Sequence, residues 1–111
     1  MANERMSREN LSPSIDEKLR FAVANKRLIQ LRYNSALRVV EPHDYGVQKG
    51  TVRLLAYQHQ GSGPKKSAAG WRLFDVAKIT ECVVLETLFK GSRGASHQHH
   101  HAWDVLHARV K

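Results

Sequence analysis

RVVEPHDYGVQKGTVRLLAYQHQ, residues 38–60, is the segment on which the predicted fold depends. Apolar and polar residues alternate on both sides of the polar run QKG, and alternation with a period of two indicates half-buried β-strands. Gly50 can adopt the positive φ that a tight turn between two strands requires. We therefore predict one strand up to about Glu41 and another over Thr51–Gln58. Pro42 should end regular pairing in the first strand or place it at an edge.

The same alternation continues on both sides of this segment. Before it, LIQLRYN (28–34) predicts a strand that ends in the turn Asn34-Ser35. After it comes GSGPKKSAAG (61–70), which is a loop by composition. Two further runs, Trp71–Ile79 and Glu81–Leu85, have the composition and period of strands. The chain therefore contains about five short strands spaced by turn signals.

A single helix is predicted ahead of the strands. Ser12-Pro13 supplies a cap and a first-turn proline, and Ser14 to Glu17 alternatively fits a capping box. Asn25 can end the helix in a left-handed conformation. One apolar stripe runs along the predicted helix and consists of Ile15, Leu19, Ala22 and Val23.

Together these elements predict a mainly β fold: a small, five-stranded, partly open barrel with one N-terminal helix. Residues 1–11 lack periodicity and are predicted to be a flexible tail, and 12–90 form the barrel domain. Residues 91–111 are a His-rich extension. In that extension Trp103, Leu106 and Val110 recur at intervals of three and four, which predicts a short C-terminal helix.

Positive charge is concentrated in the predicted strands. The chain carries a net charge of +8, and residues 26–78 contain ten Lys and Arg but only three acids. An excess of one sign costs stability through self-repulsion and is informative about partners. A phosphate-bearing partner is the simplest explanation, and the alternative is a basic protein without any nucleic-acid role.

Composition excludes several other classes. The apolar runs are too short for a transmembrane helix, and the N-terminus lacks the hydrophobic region of a secretory signal. With one cysteine, Cys82, no internal disulfide can form, so a cytoplasmic protein is expected. No phosphate-binding glycine loop, nucleophile elbow or zinc-protease motif occurs, and the ten acids are scattered. We therefore expect neither an enzyme nor a cofactor.

Histidines are concentrated near the C-terminus, in the run HQHHH (97–101). Such clusters bind transition metals. A metal site built for function also needs partners that orient its ligands, and the run shows none. We interpret it as a tail whose charge rises below about pH 6.5, and no metal site is predicted.

Strand alternation sorts the polar residues by face. Arg53 shares a face with Tyr57 on the third strand, and Arg72 shares a face with Phe74 and Lys78 on the fourth. An arginine offers a planar fork of donors to phosphate, and an aromatic ring can stack on a base. Small barrels that bind single-stranded nucleic acid combine these two elements. The predicted site therefore has Arg53, Arg72 and Lys78 on phosphates, with Tyr57 available for stacking.

Two residues of the first segment complete the predicted ligand-binding set. His43, just after Pro42, is predicted to add a donor at the rim of the barrel, and Arg38 is a further basic position. The alternative interpretation is that these side chains form only a solvated sheet face with cross-strand packing.

The region from about Leu19 to Phe89 resembles the WYL domain, a small Sm-like barrel of the SH3 type. The resemblance rests on four motifs in the family's order and spacing: IQLRYN (29–34), RVVEP (38–42), GTVRLLAY (50–57) and RLFDVAKI (72–79). The name-giving residues differ, because Val52 and Arg53 stand where the family has Trp and Tyr, while Leu54 keeps the Leu. Lys78 stands where the family has a second Arg.

The resemblance implies a regulatory ligand-binding barrel. WYL domains are typically attached to DNA-binding winged helices in bacterial transcription regulators, and they are thought to sense single-stranded DNA or nucleotide-like effectors. The family's basic ligand contacts carry over to Arg72 and Lys78, with Arg53 as a substitute at a pocket position. Only one helix fits before the barrel, so we expect a free-standing sensor, an accessory subunit or a fragment that works in trans, with a partner regulator possible.

Two further expectations concern association. A small barrel with exposed edges gains from pairing with a copy of itself, so a homodimer is expected. The rival to a nucleic-acid ligand is a protein-interaction or oligomerisation module.

Overall fold

The structure, a computed structural model, describes residues 13–59, 61–62, 68–94 and 103–111. The predicted tail and the histidine run lie outside these residues. The prediction of a mainly β protein with one N-terminal helix is confirmed. The elements are α1 (Ile15–Asn25), β1 (Arg27–Tyr33), β2 (Ala36–Gln48), β3 (Thr51–Gln58), β4 (Gly70–Asp75), a 3-10 turn (Val76–Lys78), β5 (Ile79–Leu88) and β6 (Val105–Arg109).

All six strands belong to one antiparallel sheet. Its order is β4-β3-β2-β1-β5, and β6 pairs with β2 in addition. Strand β2 is 13 residues long, which allows its first half to pair with β1 and its second half with β6 along the same edge. Within the described residues no ladder joins β4 to β5, so the sheet stays open. It has one strand more than the five predicted.

Helix α1 begins at the second of the two predicted starts, the capping box, and ends one residue later than predicted. Ser14 and Glu17 form the capping box, in which the Ser14 hydroxyl accepts from the Glu17 amide and the Glu17 carboxylate accepts from the Ser14 amide. The left-handed residue at the other end is Lys26, with φ 55°, rather than Asn25. This helix is too short to cross a membrane, and the described residues contain no helix that could.

Two tight turns join the first three strands, as predicted. Asn34 and Ser35 have φ values of 51° and 65°, and Lys49 and Gly50 have φ values of 51° and 78°. Positive φ at both central residues is the geometry that matches the twist of a two-residue hairpin. These turns set the register of β1 on β2 and of β2 on β3.

Pro42 does not end β2, which continues to Gln48. The ladder to β1 ends at Val40 and the ladder to β6 begins at Asp44, so Pro42 lies where one edge of β2 has no neighbour. A proline is tolerated at such a position because no ladder bond is lost there. A register shift relative to β3 follows directly, between Pro42 and Asp44.

The predicted strand over Trp71–Ile79 is interrupted. Strand β4 ends at Asp75, whose carboxylate accepts from the Ala77 amide and starts the 3-10 turn. Lys78 therefore lies in the turn and not on the strand face that carries Phe74. The strand alternation used to place Lys78 beside Arg72 fails at this turn.

The predicted C-terminal helix is wrong, because this segment forms strand β6. Beyond Val40 the edge of β2 needs a partner, and β6 supplies one from Asp44 to Val47. Arg109 also neutralises Asp44, which is fully buried, with contacts of 2.9 and 3.1 Å between the guanidinium and the carboxylate. The described end of the predicted extension thus contributes a strand to the domain.

The main core lies between α1 and one face of the sheet, which we call the inner face. Tyr45 connects the two layers, since its hydroxyl donates to the Asp16 carboxylate in the first turn of α1. Besides Tyr45, the core contains Leu19, Ile29, Leu31, Val40, Leu54 and Phe74. We call the opposite side of the sheet the outer face. There Leu55 is fully buried, and Trp71 and Phe89 cover His43.

Candidate anion-binding site

Three of the predicted ligand residues lie at one end of the sheet. There β1 and β3 end, while β2, β4 and β5 begin, as the cross-strand pairs Tyr33–Ala36, Gln58–Gly70 and Tyr33–Ile79 show. Arg38 lies near the start of β2, Arg72 near the start of β4, and Lys78 directly before β5. We call this end, on the inner face, the arginine end.

Arg38 and Arg72 share the inner face. Arg72 pairs directly with Ala56, and Gln58 lies two residues further along β3 and so on the same side. Arg38 reaches that row from β2, because its Nη1 donates to the Gln58 Oε1 at 3.3 Å. The two arginines are therefore brought together as neighbours across β3.

Arg38 is almost entirely enclosed. It is 9% exposed, and its guanidinium lies 5.5 Å from the ring centre of Tyr33 and 5.8 Å from that of Phe74. Its Nη2 donates to the Tyr33 carbonyl at 3.1 Å, whereas its buried Nε has no hydrogen-bond partner among the described residues. Aromatic faces stabilise a guanidinium but do not neutralise it.

The electrostatics of the pair favour an anion. The pKa of Arg38 is lowered, first by burial and then by the positive charge of Arg72, while Tyr33 acts in the opposite direction. No carboxylate within the described ranges forms an ion pair with either arginine. A buried cation without a counterion is costly. A phosphate or carboxylate at this end would offset the free-energy cost of burying the Arg38 charge. It would also offset the repulsion between Arg38 and Arg72.

Arg72 is held in place by main-chain carbonyls. Its Nη1 donates to the Trp71 carbonyl at 3.0 Å and its Nη2 to the Ala68 carbonyl at 2.9 Å. The side chain also lies against Gly70, where an added Cβ would come within 2.9 Å of Nη1. These contacts orient the guanidinium, and neutral carbonyls leave its charge intact.

Arg53 does not join this site. It pairs with Asp75 across β3 and β4, whereas Arg72 pairs with Ala56, so the pleat places Arg53 on the outer face. The prediction that Arg53, Arg72 and Lys78 surround one hollow is therefore not met. Sequence alternation assigned each arginine within its own strand, but the register between strands separates them.

Tyr57 is also on the outer face and is already covered. The guanidinium of Arg93 lies 3.6 Å from the centre of its ring, and Trp71 contacts it edge-on with ring centres 5.4 Å apart. The ring face predicted to stack on a base is occupied by the chain itself. Lys78, in contrast, is exposed at the end of its turn.

His43 is fully buried rather than at a rim. Its Nδ1 lies 2.8 Å from the Glu41 carbonyl oxygen, and its ring packs against Trp71 and Phe89. Burial lowers the pKa of His43, although the Glu41 carbonyl partly opposes this. His43 is therefore a neutral core residue, and the prediction that it donates to a ligand at the surface is wrong.

Three further residues complete the arginine end; sequence reasoning placed Phe74 beside Arg72 but missed Tyr33 and Gln58. Tyr33 and Phe74 enclose Arg38, with ring centres 4.9 Å apart, and Gln58 orients it. Both aromatic residues lie in the motifs that resemble the WYL family. Gln58 continues the alternation of Leu54 and Ala56, so its position on the inner face is readable from sequence.

Protein-family models, curated proteins and solved structures were compared with the chain, and no match was found in any of the three. Among the described residues no group of three His, Cys, Asp or Glu side chains lies close enough to hold a metal ion. The chemistry of the described site is that of paired guanidinium groups beside aromatic rings. Such an arrangement binds oxyanions.

Proposed function

We propose that this protein is a regulatory binding domain for an anionic ligand, a single-stranded nucleic acid or a nucleotide, in transcriptional control. The observation that carries the proposal is the pair Arg38 and Arg72, neighbours on the inner face that form no ion pair within the described part of the chain. Two guanidinium groups carry ten N–H donors; four of these already donate to Gln58, Tyr33, Trp71 and Ala68, so at most six remain for phosphate oxygens.

Each basic residue of the arginine end has its own role in the proposal. Arg72, held by the Trp71 and Ala68 carbonyls, engages a phosphate directly. Arg38, enclosed by Tyr33 and Phe74, does not reach the surface as Arg72 does, and its buried positive charge attracts the same phosphate. Lys78 is exposed near Ile79, which pairs with Tyr33, and it engages a further phosphate along the strand. The resemblance of four motifs to the WYL domain supports the regulatory role and a DNA-binding partner regulator.

The test compares two arginine variants with the same loss of charge. Labelled oligothymidylate is titrated with wild-type protein, Arg72→Gln and Arg53→Gln in fluorescence anisotropy across a salt series. We expect Arg72→Gln to bind about tenfold more weakly and to reduce the slope of log affinity against log salt by about 0.7. Arg53→Gln, on the outer face of the same hairpin, should change affinity less than about threefold.

The control is stability, because both variants must melt within a few degrees of wild type. Equal losses in the two variants would indicate attraction by net charge alone and would contradict a site at the arginine end. Absence of binding by the wild-type protein to both oligothymidylate and nucleotides would refute the proposal.

The rival function, a protein-interaction or oligomerisation module, is favoured by a different observation. Apolar side chains are exposed on and beside the last strand of the sheet order, with Val83 at 50%, Leu88 at 66% and Phe21 at 48% exposure. Exposed apolar residues near a sheet edge are typical of contact surfaces. Sedimentation velocity decides between the two, because the rival requires a stable oligomer or complex without any oligonucleotide affinity.

A further inference from the structure

A cavity lies on the outer face, away from the arginine end. Its volume is about 580 Å³, which is within the range of small-molecule sites. It is enclosed by the end of β5, the segment 89–93 and His59. One wall is apolar and is formed by Leu28, Leu88 and Phe89.

The polar part of the lining is a cluster around Glu41. Arg93 binds this carboxylate through Nε at 2.9 Å and Nη2 at 2.8 Å, and the His59 Nε2 lies 3.0 Å from Oε2. Arg93 also stacks on Tyr57. Because the fork and the stacking both fix its geometry, Arg93 loses little conformational freedom when a ligand binds.

The cavity carries an excess of positive groups. Glu41 is the one acid among the described residues that line the cavity. Burial alone would raise the pKa of Glu41, but the hydrogen bonds and charges of Arg93 and His59 outweigh burial and lower it. Against that carboxylate stand the cations Arg93 and Lys90, with the His59 ring beside them. The side chains of Arg93 and His59 are 35% and 37% exposed, and Lys90 is exposed.

We infer that this cavity is a second ligand site, which takes a small molecule with a phosphate group and an apolar part. Lys90, with the exposed edges of His59 and Arg93, receives the phosphate oxygens. The apolar part packs against Leu88 and Phe89, which buries the Leu88 side chain that the ligand-free surface exposes. The site is independent of the arginine end, because the sheet separates Glu41 and Tyr57 on the outer face from Arg38 and Arg72 on the inner face.

The test is an amide NMR titration of the full chain with sodium phosphate and with adenosine monophosphate. We expect shifts concentrated in Phe89–Arg93 and His59, and an affinity for the nucleotide about tenfold higher than for phosphate. Lys90→Gln should weaken both affinities about tenfold. Lys49→Gln, the same change at an exposed turn, should leave both affinities unchanged.

Several outcomes would overturn the inference. These are unshifted amides in Phe89–Arg93, equal affinities for phosphate and the nucleotide, or equal behaviour of Lys90→Gln and Lys49→Gln. Loss of these shifts in Arg72→Gln would assign the phosphate to the arginine end and would also contradict a second site. Shifts at Phe89–Arg93 without any binding of oligothymidylate or nucleotide at the arginine end would refute the proposed function and leave this site standing.

Discussion

At the scale of single residues, burial determines how the polar side chains of β2 carry charge. Arg38 stays cationic inside the sheet because aromatic rings and carbonyls surround it. His43, five residues later, is enclosed by Trp71 and Phe89, and burial lowers its pKa so that the neutral ring is favoured. The first residue keeps a charge that no carboxylate of the described residues neutralises, and the second carries none.

The neutral state of His43 predicts a pH-dependent stability. In the unfolded chain the ring protonates near its ordinary pKa of 6.5, whereas in the folded protein it does so only at lower pH. Below pH 6.5 the unfolded state therefore binds more protons, and stability falls as the pH falls. The contribution is at most about 1.4 kcal/mol per pH unit.

Urea denaturation at pH 7.5, 6.5 and 5.5 measures this effect. His43→Asn places an amide close to the position of Nδ1 and removes the titrating ring, so its free energy of unfolding should fall less steeply over this interval than that of wild type. A parallel dependence in the two proteins would show that His43 is not the group responsible.

At the scale of elements, β6 depends on a close approach at Gly46. This glycine pairs with Arg53 on one side and Leu106 on the other, and a Cβ there would overlap the Val105 carbonyl and approach the Trp103 ring. Backbone atoms cannot yield as a flexible side chain can. An added methyl group must therefore separate β6 from β2.

We expect Gly46→Ala to destabilise the protein by about 2 kcal/mol through overpacking and to speed amide exchange across Val105–Arg109. The control is Gly50→Ala, which adds the same methyl group where nothing lies within 4 Å. Its positive φ costs about 1 kcal/mol, and β6 exchange should not change. Protected β6 amides in Gly46→Ala would contradict the proposed packing.

Features that depend on neighbouring residues made much of the fold predictable from sequence. Features that depend on pairing between distant segments could not be predicted. The capping box at Ser14 and the turn at Gly50 depend on neighbouring residues only, and both predictions are confirmed. Strand β6 was missed because its partner, Asp44 to Val47, is about 60 residues away. Spacing alone favoured a helix through Leu106, which the strand leaves 39% exposed.

At the scale of the whole molecule, the candidate site was only partly predictable. Alternation correctly separated Arg53 from Leu54 within its strand, and the motifs contained Arg38 and Arg72. Which arginines meet depends on the register of β3 on β4, and on the 3-10 turn that removes Lys78 from the strand face. Tyr57 was predicted to stack on a base. Sequence alternation could not show that Arg93 covers its ring, because Arg93 lies in a segment after β5 that is distant in sequence.

The open sheet thus presents two faces with different chemistry. The inner face carries Arg38 and Arg72 at the arginine end. The outer face carries the Glu41 cluster and the cavity beside it. In the proposed function the polyanion binds at the inner face. Arg53, on the outer face, is therefore the control against which the response of Arg38 and Arg72 is compared.

The most direct measurement of that claim is an NMR titration of the arginine Nε–Hε signals with a short oligothymidylate. The account predicts that the signals of Arg38 and Arg72 shift together and saturate at the concentration that half-saturates anisotropy, while Arg53 stays in place. Movement of Arg53 with unmoved Arg38 and Arg72 would contradict it.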